Sequence, residues 1–185
     1  MEVSEALVTR RTIRKFNQNS IAKRKLTTLI NYARLAPFAG NIQALKYSIV
    51  NDPETCDKIF PNLKWAGYLS NGAPEKEFRP TAYIAVLGDT SIKDSFETDA
   101  GSAILSILLG AHDMGLGACW LGSINRTQIK NILKIPEQYS LLYVIALGYP
   151  AEKSRTCSPK KGFKYFYDIC RILNVPKRDL KDIII

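Results

Sequence analysis

The stretch that decides the fold runs from Asp99 to Gly122: Asp99-Ala100-Gly101-Ser102-Ala103-Ile104-Leu105-Ser106-Ile107-Leu108-Leu109-Gly110-Ala111-His112-Asp113-Met114-Gly115-Leu116-Gly117-Ala118-Cys119-Trp120-Leu121-Gly122. Ala100, Ala103, Ile104, Ile107, Leu108 and Ala111 recur at the spacing of one helix face, which predicts a helix from about Phe96 to Met114. Leu105 and Leu109 carry apolar character onto a second face, so the helix should be buried on two sides. Gly101, Ser102, Ala103 and Ser106 are small enough to let another backbone approach, and a symmetry-related copy of the same helix would meet both demands. Gly115 and Gly117 supply the helix stop, and Ala118 to Gly122 enters a short strand. A dinucleotide fingerprint needs strand, glycines and helix in that order. Here the order is reversed and no Gly-Lys-Ser/Thr occurs, so dinucleotide-fold and P-loop readings are both excluded.

Working outward toward the amino terminus, Ala82 to Leu87 is a continuous apolar strand closed by Gly88-Asp89. Residues 61–80 hold Pro61, Gly67, Gly72, Pro74 and Pro80 and read as an irregular, lid-like excursion. Asp52-Pro53 places a capping residue before a proline at the first helical position, opening a helix to about Phe60 after a strand at Tyr47 to Val50. A helix capped by Ser20 is expected to run to about Leu35, with Leu26, Leu29, Ile30 and Ala33 on its buried stripe. Val3 to Thr9 has helical spacing and leads into Arg10-Arg11-Thr12-Ile13-Arg14-Lys15-Phe16. Toward the carboxyl terminus, Asn125 caps a helix ended by Pro136, and Leu141 to Leu147 is a third strong strand. Residues 151–185 form a basic extension with an aromatic run from Phe163 to Tyr167. Helices and strands mix along one chain with no boundary, which predicts a single α+β domain over 1–185.

The chain has 185 residues, 46% hydrophobic and 23% charged, which suits one domain with its own core and excludes wholesale disorder. Lys plus Arg is 26 against 17 Asp plus Glu, a net charge of +9 that favours an anionic partner: nucleic acid, anionic lipid or a phosphorylated small molecule. Cys56, Cys119, Cys157 and Cys170 form no C-x-x-C pair and read as reduced thiols, so a cytoplasmic location is expected. His112 is the single histidine, which argues against a His-rich metal site. The longest apolar run, Ala100 to Ala111, is too short to span a bilayer, and no membrane partner is expected.

Three clusters carry chemistry. Arg10, Arg11 and Arg14 lie within five residues, and planar guanidinium forks match phosphate oxygens two at a time. The plainer reading of this cluster is a solvated basic turn. Nucleic acid is another claimant, but the basic residues are spread over several segments without a helix-turn-helix or RNA-recognition signature. In Pro37-Phe38-Ala39-Gly40-Asn41-Ile42-Gln43, Asn41 and Gln43 have the donors and acceptors to meet a heterocycle, or simply face water. No Gly-x-Ser-x-Gly elbow occurs, and a hydrolase would have to use His112 as its base. That residue falls in the last turn of the long helix, where a structural role against the helix dipole is the simpler reading.

Taken together, these segments resemble the FMN-dependent nitroreductase family. Arg10 to Phe16 looks like its opening R-R-[S/T]-x-R-x-[F/Y] motif, and Ala36 to Gln43 its A-P-S-x-x-N-x-Q loop. Asp99 to Gly122 looks like its long dimer helix and G-x-G-x-x-W-x-G turn, and Ala146 to Glu152 its last core strand. The resemblance implies a three-layer sandwich with a mainly antiparallel central sheet, helices on both faces, and an intertwined homodimer with FMN at the subunit interface. It implies that Arg10, Arg11, Thr12 and Arg14 hold the phosphate, ribityl chain and pyrimidine edge. Pro37, Phe38, Ala39, Asn41 and Gln43 would line the cofactor from the partner. Trp120, Leu121, Gly122 and Ser123 would face the ring, with one N–H toward flavin N5. Lys160 or Lys161 would complete the phosphate site, with Arg155 as a competitor. Trp65 and Tyr68 would stack on substrate, or else form a small local core.

The activity implied is electron transfer from NADH or NADPH to a nitroaromatic, quinone or similar acceptor by a ping-pong route. Dehalogenation or flavin destruction on the same scaffold is the alternative, and a basic nucleic-acid-binding protein the alternative from another class. The absence of an acid–base pair or nucleophile in the sequence agrees with chemistry carried by a cofactor. Phe38 stands where the family usually has serine, which removes one side-chain hydrogen bond.

Overall fold

A computed structural model describes residues 1–159 and 162–185. The main sheet is built from β1 (Phe16–Asn17), β2 (Leu45–Val50), β3 (Ala82–Asp89), β4 (Gly117–Leu121) and β5 (Tyr139–Pro150). β5 is the hub: it pairs with β3 along one edge and with β4 and β1 along the other, and β2 lies outside β3. All of these ladders are antiparallel. Every residue of β3 is buried. That explains its uninterrupted apolar run, since a strand covered on both faces has no polar side to show.

The period-2 alternation of β3 divides the core in two. Ala82, Ile84 and Val86 join a cluster with Leu26, Leu29 and Ala33 of α2 (Lys23–Arg34) and with Ala100, Ala103, Ile104 and Ile107 of α4 (Glu97–Asp113). Tyr83, Ala85 and Leu87 face the other way, toward Cys56 and Ile59 of α3 (Pro53–Ile59) and Ile129 of α5 (Arg126–Leu133). Helices therefore cover both faces, the three-layer α+β sandwich expected. α1 (Val3–Thr9) rests on α4.

Local capping follows the sequence in α3, where the Asp52 side chain accepts the Thr55 N–H at 2.8 Å, and in α5, where Asn125 accepts the Gln128 N–H at 3.2 Å. It does not in α2. Ser20 is not its cap: Ile21 turns into the core first, and the helix starts at Lys23 with Ala22 as an uncapped boundary. α5 also stops earlier than Pro136, because Lys134 takes the left-handed conformation. The 61–80 segment is irregular apart from short 3-10 turns at Phe60–Asn62 and Lys76–Phe78. The tail folds into a second sheet, in which β8 (Leu173–Pro176) pairs with β6 (Ser154–Cys157) in parallel and with β7 (Phe166–Tyr167) antiparallel. Among the described residues no helix is long and apolar enough to cross a membrane.

Two contacts place the segments that matter for function. The backbone at Thr12-Ile13 docks against the start of β4, with the Ile13 N–H donating to the Ala118 carbonyl at 3.0 Å. Gly117 permits it, since a Cβ there would fall 2.8 Å from Ile13 Cγ2. At the other end of α4, buried Asp99 accepts the Ala39 N–H at 2.9 Å and pairs with Lys93 Nζ at 2.8 Å. Burial alone would raise the Asp99 pKa, but the Ala39 N–H and Lys93 outweigh it and hold the carboxyl below its ordinary value. The loop so anchored carries positive φ at Gly40 (58°), Asn41 (54°) and Gln43 (56°).

Gly117→Ala should cost about 1–3 kcal/mol through overpacking against Ile13, read as a lower urea midpoint at unchanged slope. For Asp99 the depressed folded pKa means a stability contribution present above its unfolded value, near 3.8, and lost as pH falls through the folded value. Asp99→Asn should therefore flatten the acid limb of the stability–pH curve below about pH 4. Asp99→Ala should cost about 3 kcal/mol at neutral pH by stranding Lys93 and the Ala39 N–H.

Candidate functional site

α1 ends at Arg10, whose backbone turns extended (φ −56°, ψ 129°) and carries the arginine cluster along the edge of β4. The three arginines do not act alike. The Arg11 guanidinium bends back onto the carbonyls of Val8 and Arg10, while its Nε is buried without a partner among the described residues. Arg10 is half-buried, and burial followed by the neighbouring Arg11 charge lowers its pKa. Arg14 lies on the far side of the turn, its guanidinium 4.7 Å from the centre of the Tyr165 ring. Glu152 clamps the turn: its Oε1 accepts the Arg14 N–H at 2.5 Å and the Lys15 N–H at 3.2 Å, and its Oε2 accepts the Tyr167 hydroxyl at 2.5 Å. Burial pushes the Cys119 thiol up to about 11, against the pull of Arg14, so it is no nucleophile at neutral pH.

A cavity of about 390 Å³ lies between this turn and the carboxyl end of α4, lined by Arg10, Arg11, His112, Glu152 and Ser154 among others. Ser154 Oγ, like Arg11 Nε, is buried there without a partner among the described residues. His112 Nε2 sits 2.8 Å from Thr9 Oγ1, and that hydroxyl donates to the Glu5 carbonyl at 2.6 Å. With its proton so committed, Thr9 accepts from Nε2–H, which fixes the tautomer. Burial, then Arg10 and Arg11, lower the His112 pKa below the ordinary imidazole value. Half-desolvated guanidiniums and the Ser154 hydroxyl around a small cavity suit an oxyanion, with the Glu152 carboxylate, held by the Arg14 and Lys15 N–H groups, as the opposing charge.

The loop with Pro37, Ala39, Asn41 and Gln43 exposes all four residues, while Phe38 packs on the core. It hangs at the amino end of α4 through Asp99, whereas the arginine turn touches the carboxyl end through Thr9 and His112. Thirteen residues of helix separate Asp99 from His112, about 20 Å at the α-helical rise. One chain therefore does not bring these two sets together. At the end of β4, Trp120 is 40% exposed and meets Tyr143 edge-on at 5.1 Å. Leu121 is buried, Gly122 half-buried and Ser123 exposed. Thr12 lies beside Ala118 on the adjoining backbone.

Other expectations shift. Trp65 is not presented to an open cavity: it is buried in the second core cluster and stacks on Phe60 at 5.6 Å, so the local-core reading holds for it. Tyr68 is exposed and packs at 5.1 Å on Tyr165 of the tail. Arg155 is taken up within the second sheet, by Asn174 Oδ1 and Asp168 Oδ2, each at 2.9 Å, and is a poor candidate for a phosphate ligand. Lys160 and Lys161 lie outside the described residues. Sequence reasoning gave no role to Asp99, Glu152 or Tyr165. The signals available were a lone carboxylate opening an otherwise apolar helix, an acid just beyond the last core strand, and an aromatic run in a basic tail.

Comparison with known proteins agrees with this architecture. A relative from Methanothermobacter thermautotrophicus, whose name includes NAD(P)H nitroreductase, is 32% identical over 163 residues, covering 84% of this chain and 81% of its own. An FMN reductase (NADPH) of Bacillus subtilis is 24% identical and covers 81% of this chain and 66% of its own. The solved FMN-dependent nitroreductase from Clostridium difficile R20291 superposes with a TM-score of 0.70 at 27% identity, over 83% of this chain and 90% of that one. The model of the nitroreductase family matches residues 7–149, and the chain belongs to that family.

Proposed function

We propose that the protein is an FMN-dependent oxidoreductase that takes electrons from NADH or NADPH and delivers them to a nitroaromatic, quinone or similar small acceptor. The observation that carries this reading is the cavity beside Arg10, where Arg11 Nε and Ser154 Oγ are buried without a partner among the described residues. Buried polar atoms without partners are costly. A phosphate monoester set among them would satisfy both and relieve the repulsion between Arg10 and Arg11. Arg10, Arg11 and Ser154 would hold the phosphate, and Thr12 and Arg14 the ribityl chain and pyrimidine edge. The backbone at Leu121, Gly122 and Ser123 would stand beneath the ring, with Trp120 at its border. Lys160 and Lys161 remain proposed additional ligands.

The chemistry FMN supplies when bound is acceptance of hydride from NAD(P)H and delivery of two electrons to the acceptor. For a quinone the sum is NAD(P)H + H⁺ + quinone → NAD(P)⁺ + hydroquinone. Donor and acceptor would use the same flavin face in turn, hence a ping-pong scheme. The chain itself binds, orients and shields. The positive charge of Arg14, placed against the pyrimidine edge, would favour negative charge developing there.

A homodimer completes the site. Pro37, Ala39, Asn41 and Gln43 sit at one end of α4 and the arginine turn at the other. Leu105, in the middle of α4, is 45% exposed in the single chain. Two antiparallel copies of this helix would cover that apolar face and bring one chain's loop to the other's arginines.

Purified protein should be yellow, with a flavin absorbance spectrum, and should oxidise NAD(P)H with parallel double-reciprocal plots. Arg10→Ala should weaken FMN binding at least tenfold, consistent with loss of about 1.5–3 kcal/mol for a charge-assisted bond. A protein that stays colourless after incubation with FMN overturns the reading. His112, followed by proton NMR, should titrate below the ordinary 6.5, and Arg10→Ala should raise its midpoint by removing a nearby positive charge.

A further inference from the structure

Beside the arginine turn, across Pro150 and Glu152 from the Arg10 cavity, lie two adjoining cavities of about 730 and 890 Å³ that share Lys15, Glu75 and Tyr167 in their walls. The 61–80 excursion supplies one bank and the tail the other. Three cations here are held on aromatic rings. Lys15 Nζ lies 5.7 Å from the Phe78 ring centre and 5.8 Å from that of Tyr167. Lys164 Nζ is 5.7 Å from the Tyr68 ring, and Arg14 is 4.7 Å from that of Tyr165. Tyr68 and Tyr165 close the gap between the banks, ring centres 5.1 Å apart and tilted by 54°.

The charge of this cleft is not balanced. Lys153 and Arg171 line it with Lys15, and Lys164 stands at its rim through its contact with Tyr68. None of these four forms a salt bridge among the described residues. Two carboxylates oppose them, Glu75 and Glu152. Glu152 is engaged by two backbone N–H groups and the Tyr167 hydroxyl. Aromatic faces present π-surface to a flat ring, and an uncompensated cation in a partly desolvated cleft attracts an anion.

We infer that this cleft binds planar aromatic molecules bearing a carboxylate or sulfonate, and that such anionic aromatics are the preferred acceptor class; the second clause rests on the oxidoreductase reading above. The ring system lies against Tyr68 and Tyr167, which line the cleft, and the acidic group meets Lys15. Lys15 acts on specificity, since its charge discriminates an anionic acceptor from a neutral one of similar shape.

The probes are anthraquinone-2-sulfonate and neutral menadione. Calorimetry on the FMN-incubated protein should show anthraquinone-2-sulfonate binding that weakens as salt rises. Lys15→Met should raise its Kd and its KM about tenfold, with the KM for menadione moving less than twofold. Lys15→Arg should restore most of the affinity, which separates charge from folding damage. Tyr68→Leu should weaken both probes. No calorimetric binding of the sulfonate, or an equal effect of Lys15→Met on both probes, overturns the inference. Salt-sensitive binding without NAD(P)H oxidation by any acceptor upholds the aromatic-anion site and overturns the oxidoreductase reading instead.

Discussion

The seating of the Arg10–Lys15 turn against the edge of β4 is the constraint on which the site depends. One backbone hydrogen bond, from Ile13 to Ala118, fixes its height along the strand, and the missing side chain at Gly117 lets it come close. Glu152 then grips the same backbone from the opposite side. Three guanidiniums so close together repel one another, and a free loop would splay them into water. Held by the backbone at two points, the turn keeps Arg10 and Arg11 half out of solvent, with neither in a salt bridge among the described residues. The electrostatic tension is the stored preference for an anion, and the sheet is what sustains it.

The same seating divides labour along the turn. Arg10 and Arg14 are delivered to different neighbourhoods although they are close in sequence. Arg10 meets the end of α4, with His112 and Ser154. Arg14 meets Cys119 and Tyr165. Glu152 ties the backbone at Arg14 and Lys15 to the tail through Tyr167. A disturbance of the tail is thereby transmitted to the backbone of the turn, with no need for contact between the tail and α4.

The layers were legible in the sequence because their causes are periodic. The apolar positions of α4 and the unbroken run of β3 each follow from burial, and burial leaves a pattern. The arginine turn and the Pro37–Gln43 loop were legible as motifs in order. What stayed hidden depended on long-range partners. Trp65 in an irregular segment gives no sign of whether it faces inward, and only the stacking on Phe60 decides it. Asp99 reads as one more acid in a helix's first turn, a common place for one. Its real partner, the Ala39 amide, is sixty residues away. Ser20 failed as a cap for a related reason: the demand of Ile21 for the core outweighed a local hydrogen bond worth about 1 kcal/mol. Tyr165 belonged to an aromatic run in a basic tail, and its significance appears only when the chain returns to Arg14.

The left-handed residues of the loop at Gly40, Asn41 and Gln43 have a thermodynamic consequence. Side-chain-bearing residues enter this region at some cost, and Gln43 more reluctantly than asparagine. The chain meets that cost when it folds, with the Asp99 carboxylate holding the loop open to solvent in its finished shape. A surface already rigid loses little further freedom when something settles on it, so less of the contact energy is spent on ordering. Assembly at this loop would then behave as lock-and-key, limited by encounter rather than by rearrangement.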